Sequence, residues 1–250
     1  MKTQAEGDGN FKKTAAVVLA AGKGKRMGGD TCKQYMLLDG KPLLYYSLKA
    51  FEESSVDEVI LVTGAGEMQF CRTDIVEKYG FHKVAAITTG GKERYHSVYE
   101  GLKTLERRGY QEDAIVLIHD GARPFADRKI IRAAMTDAEK YGACVIGMPA
   151  KDTIKIADAD GFAKVTPKRT DTWMIQTPQA FSYGIIKKAY DKLMSCREYQ
   201  EGITDDAMVV ETMLNYPVKL TEGSYENMKV TTPEDMEIAG AILRRRQRYD

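Results

Sequence analysis

A glycine-rich, positively charged segment, Ala20–Met27, directly follows a short apolar run near the start of the chain. Backbone N–H groups left open by glycine bind phosphate oxygens, and neighbouring cations strengthen that binding. The dinucleotide fingerprint G-x-G-x-x-G is not met, because Met27 occupies the third glycine position, and no P-loop Gly-Lys-Ser/Thr follows. The segment therefore predicts a polyphosphate site of another kind. Its glycines are Gly22 and Gly24, and its cations are Lys23, Lys25 and Arg26. A fourth cation, Lys33, follows seven residues beyond Arg26.

Strands and helices alternate along the part of the chain that must position this site. Near-continuous apolar runs of strand length are typical of parallel strands covered on both faces. Amphipathic stripes such as Leu43–Phe51 and Ile130–Ala138 separate them and predict helices. We therefore predict an α/β fold with a doubly wound, mostly parallel, Rossmann-like sheet, in which ligands bind at the carboxyl ends of the strands. The predicted strands are Ala15–Ala20, Glu58–Thr63, Val84–Thr88, Ala114–His119 and Cys144–Met148.

The alternation is interrupted at residues 150–173, where two short stretches flank a turn at Asp158–Gly161. Thr153–Ala157 and Phe162–Val165 are predicted to pair as a projecting β-hairpin. An isolated two-stranded ribbon is only marginally stable in water, so we expect this arm to pack on a second subunit. We predict a disordered tail over residues 1–13 and a single domain over residues 14–250, with a dimerisation arm at about 150–173.

Helices and strands alternate again beyond the arm. Thr232 is the predicted N-cap of the last helix, with Pro233 at its first position. Arg244–Arg246 complement the negative end of that helix dipole. The other predicted elements are helices at Tyr183–Met194 and Thr204–Asn215 and a strand at Val218–Leu220.

The composition argues against several classes of function. Lys and Arg (37) nearly cancel Asp and Glu (36), so the chain has no net basic field for nucleic acid. No apolar run approaches the roughly 20 residues of a membrane span, and we expect no secretory signal at the polar N-terminus. The four cysteines form no C-x-x-C pair, and the chain has three histidines. We therefore expect free thiols and a cytoplasmic location, without an obvious zinc cluster.

Further motifs follow the glycine-rich segment in order between about Ala15 and Ile242. They are Lys33–Tyr35, Gly90–Val98, His119–Pro124, Lys151–Thr153, Thr177–Gln179, Ile203–Ala207 and Asn227–Thr231. Together with Val17–Met27 they resemble the sugar-phosphate nucleotidyltransferase family, and within it the 2-C-methyl-D-erythritol 4-phosphate cytidylyltransferases. The resemblance implies a homodimeric enzyme that transfers CMP from CTP to 2-C-methyl-D-erythritol 4-phosphate with Mg²⁺ as cofactor. The products would be 4-diphosphocytidyl-2-C-methyl-D-erythritol and pyrophosphate, in non-mevalonate isoprenoid biosynthesis.

The resemblance also implies roles for individual residues. Arg26 and Lys33 would stabilise the charge that grows on the α-phosphate and pyrophosphate, and Lys229 would position the acceptor. Asp120 would be the Mg²⁺ ligand, and Arg169 would reach from the arm of one subunit into the acceptor pocket of the other. The nucleotide contacts would be Ala20, Ala21, Gly22, Gly91 and Ser97. The acceptor contacts would be Arg123, Thr153, Thr177 and Thr204.

Three other functions compete with this interpretation. A cytidylyltransferase of the same fold acting on ribitol 5-phosphate would differ only in its acceptor contacts. A nucleotide-binding dehydrogenase is disfavoured by Met27, as noted above. A nucleic-acid binder using Arg244–Arg248 is disfavoured by the near-zero net charge. Lys92 stands where the family carries an acidic residue, so the resemblance gives it no role.

Overall fold

The computed structural model describes residues 12–22 and 32–248. Its strands are β1 (Thr14–Ala20), β2 (Leu37–Leu38), β3 (Lys41–Pro42), β4 (Glu58–Thr63), β5 (Val84–Thr89), β6 (Ile115–Asp120), β7 (Ala143–Pro149), β8 (Ile156–Ala157), β9 (Ala163–Val165), β10 (Trp173–Ser182) and β11 (Lys219–Glu222). Its α-helices are α1 (Leu43–Glu52), α2 (Met68–Phe70), α3 (Arg94–Arg107), α4 (Arg128–Tyr141), α5 (Tyr183–Ser195), α6 (Asp206–Leu214) and α7 (Pro233–Arg246). Within these residues, no helix has the length and apolar character needed to cross a membrane.

The main sheet is doubly wound and mostly parallel, which confirms the predicted fold class. In the described residues its seven strands run in the order β11-β7-β10-β6-β1-β4-β5. Strand β1 lies inside the sheet and pairs in parallel with β4 on one side and β6 on the other, so the strand order reverses beside it. Leu19 is in register with Asp120, and the carboxyl ends of β1 and β6 therefore meet at this switch point, where open α/β sheets bind ligands.

Two layers of helices cover the two faces of the sheet. The side chains of β1 alternate between them: Ala16 and Val18 pack in the layer of α1 and α4, and Ala15 and Val17 pack in the layer of α3, α5 and α6. Every one of these four side chains is fully buried. Burial on both faces is the physical reason that the parallel strands read as continuous apolar runs rather than as alternating ones.

The pattern of apolar residues did not predict β10. This strand lies between β6 and β7 and runs antiparallel to both. Its polar residues Gln176, Thr177 and Gln179 are buried, and the strand contains Pro178 and a register shift between Ile175 and Gln179. The sequence of β10 therefore lacks a continuous apolar run. Its buried polar side chains are accommodated by hydrogen bonds rather than by hydrophobic contacts.

The predicted boundaries of α6 were also wrong at the start. The helix begins at Asp206 rather than Thr204, because the Asp205 carboxylate accepts a hydrogen bond from the Met208 N–H and acts as the N-cap. At the last helix the prediction is confirmed. The Thr232 hydroxyl accepts from the Asp235 N–H in a capping box, and Pro233 occupies the first helical position.

A hairpin occurs at the predicted position of the arm, but it is shorter than predicted. Within the described part of the chain the pairing is limited to β8 and β9, and both strands are exposed along their whole length. The turn is held by the Asp158 carboxylate, which accepts from the Phe162 N–H at 2.9 Å. The arm exposes large apolar side chains, including Ile156 (50 %), Phe162 (72 %) and Val165 (47 %).

The four cysteines differ in their expected reactivity. All four are thiols rather than half of a disulfide; Cys71 and Cys144 are buried, and Cys32 and Cys196 are partly exposed. Burial raises the pKa of the Cys71 thiol to about 11 and that of Cys144 to about 12. Since the thiolate is the reactive form, we expect only Cys32 and Cys196 to react quickly with a disulfide reagent at pH 8. Denaturant should release the other two, and rapid reaction of all four in the native protein would contradict this packing.

Candidate active site

A cleft of about 530 Å³ opens beside the carboxyl ends of β1 and β6. Its size lies within the range of small-molecule binding sites. The lining comes from both sides of the switch point, from the start of α3 and from the segment before α7. Seven residues predicted from the sequence line it together: Ala21, Gly22, Lys33, Gly91, Ser97, Asp120 and Lys229.

The remaining predicted residues fall into three groups. Ala20, Arg123 and Thr177 are not in the cleft lining, but each is bonded to the elements that form it. Thr153, Arg169 and Thr204 are exposed and do not line this cleft in the described chain; the first two lie in the arm segment, and Thr204 lies before α6. Arg26, together with Lys23 and Lys25, lies outside the described residues, as does most of the predicted N-terminal tail.

The loop between β5 and α3 approaches β1 closely. The Gly90 N–H donates to the Thr63 carbonyl at 2.8 Å. A Cβ on Gly90 would lie 2.7 Å from the Cβ of Ala21, so only glycine permits this approach without displacement. The Ser97 hydroxyl accepts from the Gly91 N–H at 3.2 Å. The apposed backbone of the two loops therefore forms one wall of the cleft, and Ser97 holds its shape.

Lys33 is placed by the residues that follow it. Gln34 is 2 % exposed, and its Nε2 donates to the Ala20 carbonyl at 2.6 Å. The Tyr35 hydroxyl donates to Glu67 at 2.9 Å. These bonds fasten the chain after the glycine-rich segment to the end of β1 and to the loop after β4. As a result Lys33 and the backbone of Gly22 line the same cleft.

Asp120 is a buried carboxylate surrounded by three cations. Its Oδ2 lies 2.7 Å from Lys229 Nζ and 3.9 Å from Arg123 Nε, and its Oδ1 accepts from Arg94 Nε at 3.2 Å. Burial by itself would raise the pKa of Asp120, but Arg94, Lys229 and Arg123 outweigh it and hold that pKa well below its usual range. Asp120 is therefore ionised throughout the physiological pH range.

Arg94 lies within the motif Gly90–Val98, but no role was predicted for it from the sequence. It is the first residue of α3, and its Nη1 and Nη2 donate to the two oxygens of Asp206 at 2.8 and 2.7 Å. Burial would lower the pKa of Arg94, but Asp206 and Asp120 outweigh burial and raise it. Asp206 lies 112 positions further along the chain, so only the tertiary structure reveals the pair.

The segment that carries Lys229 is fixed by buried hydrogen bonds. Asn227 is fully buried, and its Nδ2 donates to Gln176 Oε1 at 3.1 Å and to the Thr177 carbonyl at 2.9 Å. The Val230 N–H donates to the Ala122 carbonyl at 2.9 Å. Lys229 thus lies between two anchored residues, and the polar strand β10 supplies one of the anchors.

His119 has a structural role beside this site, and its ring does not change protonation near neutral pH. Its Nε2 donates to the Arg123 carbonyl at 3.2 Å, so its Nδ1 accepts from the Thr177 hydroxyl at 3.1 Å. The same hydroxyl accepts from the Asp120 N–H at 3.0 Å. Burial lowers the pKa of His119 to about 4. The ring is therefore neutral at pH 7, and it orders the end of β6.

The cleft fits a metal that arrives with a ligand better than a resident one. Among the described residues, no group of three or more His, Cys, Asp or Glu side chains could hold a metal ion. Mg²⁺, however, commonly takes one or two carboxylates and completes its coordination with phosphate oxygens and water. Asp120 is an ionised carboxylate in a cleft that is rich in cations suited to phosphate groups, so its chemistry fits a Mg²⁺ ion carried by a polyphosphate.

Comparisons with known proteins agree with this architecture. The family model IspD, 2-C-methyl-D-erythritol 4-phosphate cytidylyltransferase, matches residues 14–245. The 2-C-methyl-D-erythritol 4-phosphate cytidylyltransferase of Lachnoclostridium phytofermentans is 48 % identical, over 96 % of this chain and 100 % of that protein. The protein of the same name from Lachnospira eligens is 51 % identical, over 92 % and 98 %. The crystal structure of 4-diphosphocytidyl-2C-methyl-D-erythritol synthase from Anaerococcus prevotii superimposes with a TM-score of 0.78 at 32 % identity, covering 93 % of this chain and 96 % of that one.

Proposed function

This chain belongs to the 2-C-methyl-D-erythritol 4-phosphate cytidylyltransferase family, and we propose that it transfers CMP from CTP to 2-C-methyl-D-erythritol 4-phosphate. The products are 4-diphosphocytidyl-2-C-methyl-D-erythritol and pyrophosphate, in the non-mevalonate route to isoprenoids. The observation that carries the proposal is the ionised Asp120 at the switch point. Lys229, Arg94 and Arg123 surround its carboxylate, and Lys33 lines the same cleft.

The reaction requires positioning and charge neutralisation more than proton transfer. An oxygen of the acceptor's phosphate attacks the α-phosphorus of CTP, a new P–O bond forms, and the bond to the bridging oxygen breaks to release pyrophosphate. The attacking oxygen is already ionised, so no general base is required, and the neutral His119 is consistent with that. Two polyanions must nevertheless be brought together, and fixed cations offset their repulsion.

The cations divide this work between the two substrates. Lys33, with Arg26, stabilises the charge that grows on the α-phosphate and on the departing pyrophosphate. Lys229 and Arg123 hold the acceptor phosphate. Arg123 acts from beside the cleft rather than from its lining: its Nε lies 3.9 Å from Asp120 Oδ2, and its Nη1 donates to the Asn227 carbonyl at 2.8 Å in the segment that carries Lys229. Mg²⁺, when bound with the triphosphate, neutralises part of its charge, and Asp120 is the residue that would hold it.

The two glycine-containing loops bind the nucleotide. The backbone at Ala20–Gly22 contacts the triphosphate, and Gly91 forms the wall against the cytosine base. Ser97 acts by holding that wall in place, since its hydroxyl already accepts from the Gly91 N–H. A wall made of backbone at this close approach leaves room for a pyrimidine and excludes a purine by its size.

The acceptor pocket is completed by the arm of a second subunit. In this homodimer Arg169 and Thr153 of one chain reach the cleft of the other, while Thr177 and Thr204 contribute from the same chain. The exposed apolar side chains of the arm support an interface there. The four thiols support a reducing compartment, and we place the enzyme in the cytoplasm.

Pyrophosphate release measured with each nucleoside triphosphate and each acceptor tests the proposal. We expect turnover with CTP and 2-C-methyl-D-erythritol 4-phosphate, loss of activity on chelation of Mg²⁺, and weak turnover with ATP or GTP. The relatives' names favour this acceptor over ribitol 5-phosphate. Equal rates with ATP and CTP, or turnover with ribitol 5-phosphate alone, would contradict the assignment.

A further inference from the structure

We propose that Arg94 is a positioning residue, which orients the Asp120 carboxylate from a buried anchor at the start of α6. The inference rests on the proposed function, because it explains how Asp120 is held for that reaction. It follows from three features of the structure. Asp206 is a fixed anchor, the planar guanidinium of Arg94 connects this anchor to Asp120, and the two oxygens of Asp120 have different partners.

The anchor is Asp206, whose side chain is fully buried. Besides the two bonds from Arg94, its Oδ1 accepts from the Tyr190 hydroxyl at 2.6 Å. Its backbone N–H and that of Ala207 both donate to Gln179 Oε1, at 3.1 and 2.9 Å. The anchor is therefore fixed to α5 through its side chain and to β10 through its backbone.

The connecting group is the planar guanidinium of Arg94. With Nη1 and Nη2 both bonded to Asp206, the plane of the group is set, and so is the direction in which Nε donates. That third nitrogen donates to Asp120 Oδ1 at 3.2 Å. A lysine at this position has one nitrogen and cannot bridge two carboxylates in a fixed plane.

The two oxygens of Asp120 thereby acquire different partners. Oδ1 is tied to the anchor, and Oδ2 faces Lys229 at 2.7 Å. The backbone N–H of Asp120 is fixed separately by Thr177. Without Arg94 the carboxylate could rotate about its last torsion, and Oδ2 would lose its fixed direction toward the cleft.

The competing explanation is that Arg94 only neutralises the buried Asp206. A double variant distinguishes this structural role from the positioning of Asp120. Arg94→Gln combined with Asp206→Asn replaces the ion pair with two neutral amides, so no unpaired charge remains buried. Arg94→Lys retains the positive charge but loses the paired Nη1 and Nη2 donors that bind both oxygens of Asp206. The matched control is Arg108→Gln with Glu58→Gln, which removes the pair at 2.9 Å at the other end of α3, away from the cleft.

We expect the control to match the wild type in kcat. We expect R94Q/D206N and R94K to fold, by circular dichroism and thermal melting, yet to lose about 10–100-fold in kcat, as supporting residues of a ligand site typically do. The KM for CTP should change much less than kcat, because the loops at Ala20–Gly22 and Gly91 that bind the nucleotide remain intact while the orientation of Asp120 is lost.

Two results would overturn the positioning role. One is a wild-type kcat in the folded double variant, which would show that neutralising Asp206 is all that Arg94 does. The other is a wild-type kcat in Arg94→Lys, which decides the question alone if the double variant does not fold. An inactive wild type would instead contradict the proposed function, and this inference with it.

Discussion

Replacement of Lys229 with methionine is expected to lower kcat by about 10²–10³-fold, the usual loss when one charge-stabilising donor is removed from a transition state. Lys229 Nζ lies 2.7 Å from Asp120 in the cleft and, of the cations that the structure describes, is the closest to that carboxylate. Its removal leaves the acceptor phosphate with one fixed cation fewer. Initial rates of pyrophosphate release at saturating CTP measure the effect.

The fold itself should tolerate this change. The Lys229 side chain is 35 % exposed, and the buried Asp120 keeps Arg94 and Arg123 as cationic partners when Lys229 is replaced, so we expect the variant to remain folded. Lys187→Met is the matched control, because Lys187 is likewise a lysine held in ion pairs, with Asp191 at 2.9 Å and Glu106 at 3.4 Å, but lies outside the cleft. A Lys229→Met enzyme with the same kcat as this control would remove Lys229 from the proposed mechanism.

Mixing two inactive variants should restore activity if the acceptor pocket is shared between subunits. Arg169→Ala and Lys33→Ala are each expected to lose most activity. A heterodimer of the two has one site in which both residues are intact. Random exchange of equal amounts should therefore restore about a quarter of the wild-type activity, since half of the dimers are mixed and each has one intact site.

The control for this experiment uses two variants of the same cleft. Lys33 and Lys229 line one cleft of a single chain, so Lys33→Ala mixed with Lys229→Met should restore nothing. Subunit exchange is confirmed by native mass spectrometry of differently tagged chains. If exchange occurs and Arg169→Ala still does not complement Lys33→Ala, the arm does not complete the partner's site.

The elements of the fold could be predicted from the sequence wherever hydrophobic burial alone defines them. The predicted strand at Glu58–Thr63 matches β4 residue for residue, and that at Ala15–Ala20 differs from β1 by one residue. Helices cover both faces of these two strands, so consecutive positions are buried and the sequence shows a nearly continuous apolar run. The prediction failed at β10, where buried Gln176, Thr177 and Gln179 are satisfied by partners far away in the chain. The local pattern of apolar and polar residues contains no information about hydrogen-bond partners that are distant in the chain.

The sequence by itself determined the doubly wound class, the glycine-rich segment and the set of motifs that identify the family. These depend on residue types at short spacing, and short spacing is preserved when a chain folds into strands, turns and helices. The tertiary structure alone decided how these motifs meet: that Lys229 and Arg123 converge on Asp120, and that Asp206 holds Arg94 across 112 positions. Charge pairs between distant segments form because burial makes an unpaired charge costly, and which segments are buried together is a property of the whole fold.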